Sequence, residues 1–116
     1  MRRRRAERGG RRAEGIAAWW LRLHGWTILA RRARTPVGEV DLVARRGRVT
    51  AFIEVKSRAS AAEAGLALDD YRLRRVVAAA EALAPRYARP GDDIRVDAMF
   101  IVPWRLPKHL VNITMN

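Results

Sequence analysis

Two segments rich in β-forming residues, 39–44 and 49–57, flank a short polar run that contains a glycine, and this pattern predicts a tight β-hairpin. Gly47 stands at the first central position of a two-residue turn, where a type II′ turn needs a residue that tolerates positive φ. Arg46 then lies opposite Val49, which sets the register of the two strands. No other feature constrains the fold as strongly, because the register decides which side chains meet.

In this register Asp41 lies opposite Glu54 and Glu39 lies opposite Lys56, with about 5 Å between opposed Cβ atoms. Opposed carboxylates repel each other, so the pair favours a cation, either the Lys56 ammonium group or a divalent metal ion. Oxygen ligands favour Mg²⁺ or Mn²⁺. In a basic protein this arrangement predicts metal-assisted hydrolysis of phosphodiester bonds, with Lys56 orienting the attacking water or stabilising the charged transition state.

An alternative interpretation is a solvent-facing strand edge with ordinary surface ion pairs, which contribute little to stability. The apolar residues around Glu54 argue against it, because they indicate a strand covered on both faces, where an unpartnered carboxylate is costly. Alternation along the first strand of the hairpin also predicts that Val40 and Leu42 share one face, while Asp41 and Val43 share the other.

The rest of the chain alternates between helical and extended patterns. Apolar residues at helical spacing predict a first helix over about 11–24, which ends at Gly25. With the hairpin, the order becomes αβββαβ, which predicts a sheet with helices on its faces. The remaining elements are predicted as a strand over 26–33, a loop over 58–68, a second helix that begins at Asp69 or Asp70 and that Pro85 ends or kinks, and a strand over 94–102.

The chain is strongly basic. It has 116 residues, with 24 Lys and Arg against 12 Asp and Glu, and its formal net charge is +12. Such a charge attracts polyanions, and we expect nucleic acid, in particular DNA, rather than a membrane. The segment 1–12 holds seven of the arginines and predicts a disordered arm, either solvated or bound to phosphate, ahead of a single domain over 13–116.

Composition also excludes several classes of protein. The chain has no cysteine, which excludes a disulfide scaffold, thiolate zinc sites and cysteine nucleophiles. No apolar run approaches the roughly 18 residues of a membrane span, so we expect a cytoplasmic protein. Among the four tryptophans, Trp20 and Trp26 are predicted in the core, whereas Trp19 and Trp104 are left open between core packing and base stacking.

The run Gly38-Glu39-Val40-Asp41-Leu42-Val43-Ala44, followed by Glu54-Val55-Lys56-Ser57-Arg58, resembles the PD-(D/E)XK nuclease signature. It looks most like the YraN family of small uncharacterised bacterial proteins, and it is similar to archaeal Holliday junction resolvases. The resemblance covers about residues 9–113. It implies an α/β fold with a restriction-endonuclease-like αβββαβ core, in which helices flank a mixed central sheet.

The resemblance implies a metal-dependent endonuclease that hydrolyses DNA, on branched or repair intermediates, with Mg²⁺ or Mn²⁺ as the cofactor. Asp41 and Glu54 would be the metal carboxylates, with the backbone carbonyl of Val55 as a further ligand. Lys56 would be the catalytic lysine. Glu14 matches a glutamate of the first helix that reaches the metal in related nucleases, although an isolated glutamate there would be interpreted as a solvated side chain.

Four arginines are expected to contact nucleic acid: Arg45, Arg46, Arg58 and Arg72. Arg72 stands where the family often has lysine, and Leu73 replaces the glutamine that follows, which puts substrate contacts in doubt more than metal binding. Asp97 matches an acidic position in the last strand, where we expect a structural role.

Two further expectations concern partners. Symmetric cleavage of a junction needs two active sites, and a homodimer would supply them. The rival hypothesis is a non-catalytic protein that keeps the nuclease fold and binds DNA, or binds RNA as a ribosome-associated protein. Cleavage assays with and without metal distinguish the two hypotheses.

Overall fold

The computed structural model of the protein describes residues 2–58 and 70–113, and most of the loop expected over 58–68 lies outside them. The predicted αβββαβ order is present, with one additional short strand at its end. The elements are α1 (Arg2–Leu23), β1 (Thr27–Thr35), β2 (Gly38–Arg46), β3 (Val49–Ser57), α2 (Asp70–Tyr87), β4 (Asp93–Ile101) and β5 (Lys108–Leu110).

The strands form one mixed sheet in the order β1-β2-β3-β4-β5. Neighbouring strands are antiparallel except for β3 and β4, which are parallel and in register from Val49↔Asp93 to Ser57↔Ile101. A parallel pair needs a long crossover, and α2 lies within it. As a result, the carboxyl ends of β3 and β4 lie side by side.

The two helices cover opposite faces of the sheet. On the α1 face, small alanines of the helix and Leu21 pack against Ile53 and Met99. On the α2 face, Val76 and Leu83 pack against Phe52. Both faces of β3 are covered, and its apolar residues Ala51, Phe52 and Ile53 are fully buried. This agrees with the apolar sequence of the strand. Trp26 is buried in the α1 cluster and Trp20 packs partly against it, whereas Trp19 and Trp104 are exposed.

Two predictions about the helices need correction. The first helix begins at Arg2 rather than near residue 11, so the segment 2–12, expected to be disordered, forms its first turns. Arginine and alanine favour helix strongly enough to continue it through two glycines. Pro85 lies inside the last turn of α2, which continues to Tyr87. Neither helix in the described part of the chain is long and apolar enough to cross a membrane.

The additional strand, β5, pairs with β4 from Ala98↔Leu110 to Phe100↔Lys108, and Asp97 contacts this segment as well. This fully buried carboxylate accepts hydrogen bonds from Arg95 at 2.9 and 3.0 Å, from the His109 ring at 2.8 Å and from the main-chain amide of Asn112 at 2.8 Å. Burial alone would raise the pKa of Asp97, but these bonds together lower it. Asp97 therefore has the structural role that was expected.

Candidate active site

The hairpin follows its predicted register near the turn. The β2–β3 ladder runs from Arg46↔Val49 to Leu42↔Ile53, and Gly47 adopts φ 60°. The predicted continuation, with Asp41 opposite Glu54, is not part of the ladder. Instead, the main-chain amide of Val55 donates a 2.7 Å hydrogen bond to Oδ2 of Asp41, so a side chain replaces the next backbone contact.

The strand β2 changes face at Asp41. Val40 belongs to the α2 cluster together with Val43, while Leu42 belongs to the α1 cluster, so the predicted common face of Val40 and Leu42 is wrong. Opposite this point in β1, Arg32 lies between two paired residues and adopts φ 53°. A positive φ costs a non-glycine residue about 1–3 kcal/mol, and such strain concentrates at functional sites.

A cavity of about 420 Å³ lies between the sheet and α2 and is lined by Asp41, and we call it the β2–α2 cavity. Asp41, Glu54 and Lys56 all line it, and Nζ of Lys56 lies 2.5 Å from Oε1 of Glu54. The predicted common face of Glu54 and Lys56 is therefore confirmed. The other lining residues are Glu39 from β2 and Tyr71, Arg72, Arg75 and Val76 from α2.

The electrostatics of the cavity favour an added cation. Burial, and then repulsion by Glu54, raise the pKa of Asp41 to about 7, against the lowering effects of the Val55 amide and of Lys56. The Asp41 and Glu54 carboxylates supply hard oxygen donors, which are the ligands that Mg²⁺ and Mn²⁺ prefer. Within residues 2–58 and 70–113, no group of three or more His, Cys, Asp or Glu side chains could hold a metal ion.

Glu14 does not line the same cavity as Glu54 and Lys56. It is buried in α1 and accepts a hydrogen bond from Nε of Arg32, at 2.9 Å to Oε1 and 3.2 Å to Oε2. It lines a second cavity of about 420 Å³, the β1–α1 cavity. Gly10, Arg11, Arg32, Arg34, Glu39 and Asp41 line this second cavity as well.

The predicted nucleic-acid contacts fall into two groups. At the turn end of the hairpin, away from Asp41, Arg45 binds Asp92 at 2.5 Å and the carbonyl of Tyr87 at 2.7 Å, and it is largely buried. Arg46, at the same end, stacks over the Trp26 ring at 4.7 Å. Both side chains therefore have partners at the turn end of the hairpin, an ion pair for Arg45 and a ring contact for Arg46. By contrast, Arg72 lines the β2–α2 cavity, and Arg58 follows β3 directly.

Sequence reasoning missed Tyr71 and Arg75 as lining residues. Arg75 follows Arg72 by three residues and Tyr71 by four, so helical spacing could have indicated that they share a face of α2. Sequence reasoning also placed Leu73 too close to the site. Leu73 lines a different surface depression of α2 and does not line the β2–α2 cavity.

Gly38 explains how α2 approaches the site closely. A Cβ atom at this position would lie 3.0 Å from the carbonyl oxygen of Arg75. Since this contact is tighter than most that real Cβ atoms make, the glycine allows α2 to pack closely against the start of β2. It thereby positions Arg72 and Arg75 beside Asp41.

Comparison with known proteins identifies relatives of this chain. The model of a family described as "Uncharacterised protein family UPF0102" matches residues 13–101. A UPF0102 protein of Sphingopyxis alaskensis is 68% identical over 113 residues, which cover 97% of each chain. A UPF0102 protein of Rhizorhabdus wittichii is 60% identical over 112 residues, which cover 97% of this chain and 95% of the relative.

Among solved structures, the chain is similar to Archaeoglobus fulgidus Hjc, a Holliday junction resolvase from an archaeal hyperthermophile. The TM-score is 0.62 at 20% sequence identity, and the match covers 86% of this chain and 73% of that one. This likeness confirms the predicted restriction-endonuclease-like fold.

Proposed function

The chain belongs to the uncharacterised family UPF0102, the YraN family indicated by its sequence, and we propose that it is a metal-dependent endonuclease that hydrolyses DNA phosphodiester bonds. One observation carries the proposal. Asp41, Glu54 and Lys56, from two strands, line one cavity in which burial, and then repulsion by Glu54, raise the pKa of Asp41 to about 7. Buried like charges without full compensation are costly, and they concentrate at functional sites.

Each residue has a distinct part in the proposed reaction. Mg²⁺ or Mn²⁺, held by Asp41, Glu54 and the carbonyl of Val55, would supply a Lewis acid and lower the pKa of bound water. The amide of Val55 fixes the orientation of the Asp41 carboxylate. Lys56, buried and ion-paired with Glu54, holds a positive charge where the phosphate oxygens gain negative charge as water attacks phosphorus.

DNA is the proposed substrate because of charge and fold. The net charge of +12 attracts a polyanion, and Arg72 and Arg75 line the cavity on its α2 side. The similar solved structure is that of a Holliday junction resolvase, so we extend the proposal to branched DNA. Symmetric cutting of a four-way junction needs two such sites, which a homodimer would provide.

The test is cleavage of end-labelled four-way junctions and linear duplexes with Mg²⁺, Mn²⁺ or EDTA. We expect cleavage with metal, none with EDTA, and none in Asp41→Asn or Glu54→Gln, while junction binding persists. Glu81→Gln is the matched control, because this exposed carboxylate on α2 lies outside the β2–α2 cavity. Cleavage that survives in Asp41→Asn and Glu54→Gln removes the carboxylate pair from the mechanism.

The rival function, a non-catalytic nucleic-acid-binding protein, has one observation in its favour. The 2.5 Å ion pair between Lys56 and Glu54 already supplies that carboxylate with a cation. This hypothesis predicts binding to DNA or structured RNA without cleavage in any metal. Titration of labelled RNA and DNA, combined with the cleavage assay, separates the two functions.

A further inference from the structure

The β2–α2 and β1–α1 cavities adjoin each other at Glu39 and Asp41, which line both of them. Asp41 therefore has open space on two sides, one towards α2 and one towards α1. Both sides carry arginines: Arg72 and Arg75 on the α2 side, and Arg11, Arg32 and Arg34 on the α1 side. A polyanionic strand that crosses Asp41 would meet cations before and after it.

Arg32 is held in a defined position in the β1–α1 cavity. Its Nε atom is bound by the buried Glu14 carboxylate, and its backbone is strained at φ 53°. Its Nη2 atom lies 3.9 Å from the place that a Cβ would occupy at Gly10, so the absence of a side chain there leaves space beside the guanidinium group. The side chain remains 29% exposed.

A guanidinium group bound through Nε keeps four N–H donors for other partners, in the planar fork that suits phosphate oxygens. Two neighbouring arginines, Arg11 and Arg34, add further positive charge to the β1–α1 cavity. Arg34 is 78% exposed and lies 3.6 Å from Glu39, and Arg11 is exposed on α1 and forms no ion pair with any residue that the structure describes.

We propose that the β1–α1 cavity binds a DNA phosphate adjacent to the scissile one, with Arg32 as the phosphate ligand and Glu14 as the residue that positions it. The inference rests on the proposed function, because the scissile phosphate defines the neighbouring position. It assigns Glu14 a role through Arg32 rather than at the metal. It also requires the strand to continue on both sides of Asp41, which is the geometry of an internal cut.

The experiment measures the salt dependence of junction binding in EDTA, where cleavage does not interfere. Fluorescence anisotropy of a labelled four-way junction gives the dissociation constant across a sodium chloride series. The log–log slope falls by about 0.9 for each phosphate contact that is lost. We expect Arg32→Gln to weaken binding and to reduce the slope by about that amount. Arg31→Gln is the matched control, since this exposed neighbour has the same charge and does not line the cavity.

Two further variants guard against misfolding, because Arg32→Gln leaves the Glu14 carboxylate buried without its partner. The double variant Glu14→Gln/Arg32→Gln removes both charges, and the exposed Arg11→Gln leaves the pair intact. We expect Glu14→Gln alone to reduce the slope as Arg32→Gln does, and the double variant to show no further loss, which is the non-additivity of a positioning pair. Arg11→Gln should also reduce the slope.

Each outcome supports or refutes the proposed phosphate subsite or the positioning role of Glu14. If Arg31→Gln reduces the slope as much as Arg32→Gln, the effect is general surface charge and the subsite is refuted. If Glu14→Gln leaves the slope unchanged, Glu14 does not position Arg32. Because binding is measured without cleavage, these failures are distinct from failure of the proposed function, which Asp41→Asn reports in the cleavage assay.

Discussion

The amide of Val55 donates a 2.7 Å hydrogen bond to Oδ2 of Asp41 at the point where the β2–β3 ladder has ended. In a regular antiparallel ladder this amide would bond to a carbonyl, and the Asp41 side chain would stand off one face of the sheet. The bond instead directs the carboxylate towards β3, and hence towards Glu54 and Lys56. An interruption of the ladder thus creates the site.

The pH dependence of the free energy of unfolding should reveal the cost of ionising the buried Asp41 carboxyl group. Its pKa is raised to about 7 in the folded state from 3.8, so between pH 4 and 7 the folded chain holds a proton that the unfolded chain has lost. The free energy of unfolding therefore decreases as pH rises through this window and is lowest above pH 7. Urea unfolding in EDTA from pH 4.5 to 8.5 measures it.

Asp41→Asn removes this titration and keeps an oxygen that can accept the Val55 hydrogen bond. We expect the variant to be more stable than the native chain at pH 8, by about 1–4 kcal/mol, and to lose the decline between pH 4 and 7. Glu81→Gln, an exposed carboxylate change, should keep that decline. Parallel pH curves for the native chain and Asp41→Asn would contradict the buried-charge interpretation.

Binding of a divalent cation should stabilise the native chain selectively. A ligand at 100 times its Kd adds about 2.7 kcal/mol to the free energy of unfolding. We expect Mg²⁺ or Mn²⁺ to raise the Tm of the native chain more at pH 8 than at pH 6, because protons compete for Asp41. Asp41→Asn and Glu54→Gln should show little shift. An equal shift in all three proteins would place the bound metal elsewhere.

Local patterns were sufficient to predict the turn half of the hairpin. The register from Arg46↔Val49 to Leu42↔Ile53, and the common face of Glu54 and Lys56, follow from strand periodicity and one turn glycine. The change of face at Asp41 could not be predicted in this way. It coincides with the positive φ of Arg32, a residue of another strand, and no local pattern in β2 indicates it.

Two of the predicted site residues have partners that the sequence did not indicate. Glu14, expected at the metal, and Arg45, expected on DNA, each form an ion pair with a residue distant in sequence, Arg32 and Asp92 respectively. The charge of a side chain does not by itself show which residue of opposite charge it pairs with in the folded chain. The strand β5 was missed because it has only three residues and depends on contacts to Asp97 rather than on its own periodicity.

Substitution of Arg45 and of Arg72 should distinguish an arginine that stabilises the fold from one that binds DNA. Arg45 and Asp92 are both nearly buried, and the amide of Arg89, followed by Thr50 and Arg45, lowers the pKa of Asp92 to about 2. This stabilisation is present above pH 4 and is lost as pH falls towards 2. We expect Arg45→Gln to lower the Tm at pH 7 and to leave the salt slope of DNA binding unchanged.

Arg72→Gln should behave in the opposite way, because Arg72 is exposed and lines the β2–α2 cavity. We expect little change in Tm and a slope reduced by about 0.9. Thermal melts and anisotropy titrations on both variants measure these effects. A reduced slope in Arg45→Gln at unchanged Tm would instead support Arg45 as a DNA contact.

The close approach of α2 to β2 should depend on Gly38. A methyl group there would lie 3.0 Å from the carbonyl oxygen of Arg75, so we expect Gly38→Ala to shift α2 by a few tenths of an ångström, together with the arginines that it carries. We expect weaker junction binding in EDTA and a loss of stability of about 1–3 kcal/mol. Gly47→Ala is the matched control, because Gly47 has φ 60° but no atom within 4 Å of the added carbon. It should lose stability through backbone strain alone, about 1–2 kcal/mol, and keep its DNA affinity. Equal DNA affinity in the two variants would show that α2 does not need this contact to position Arg72 and Arg75.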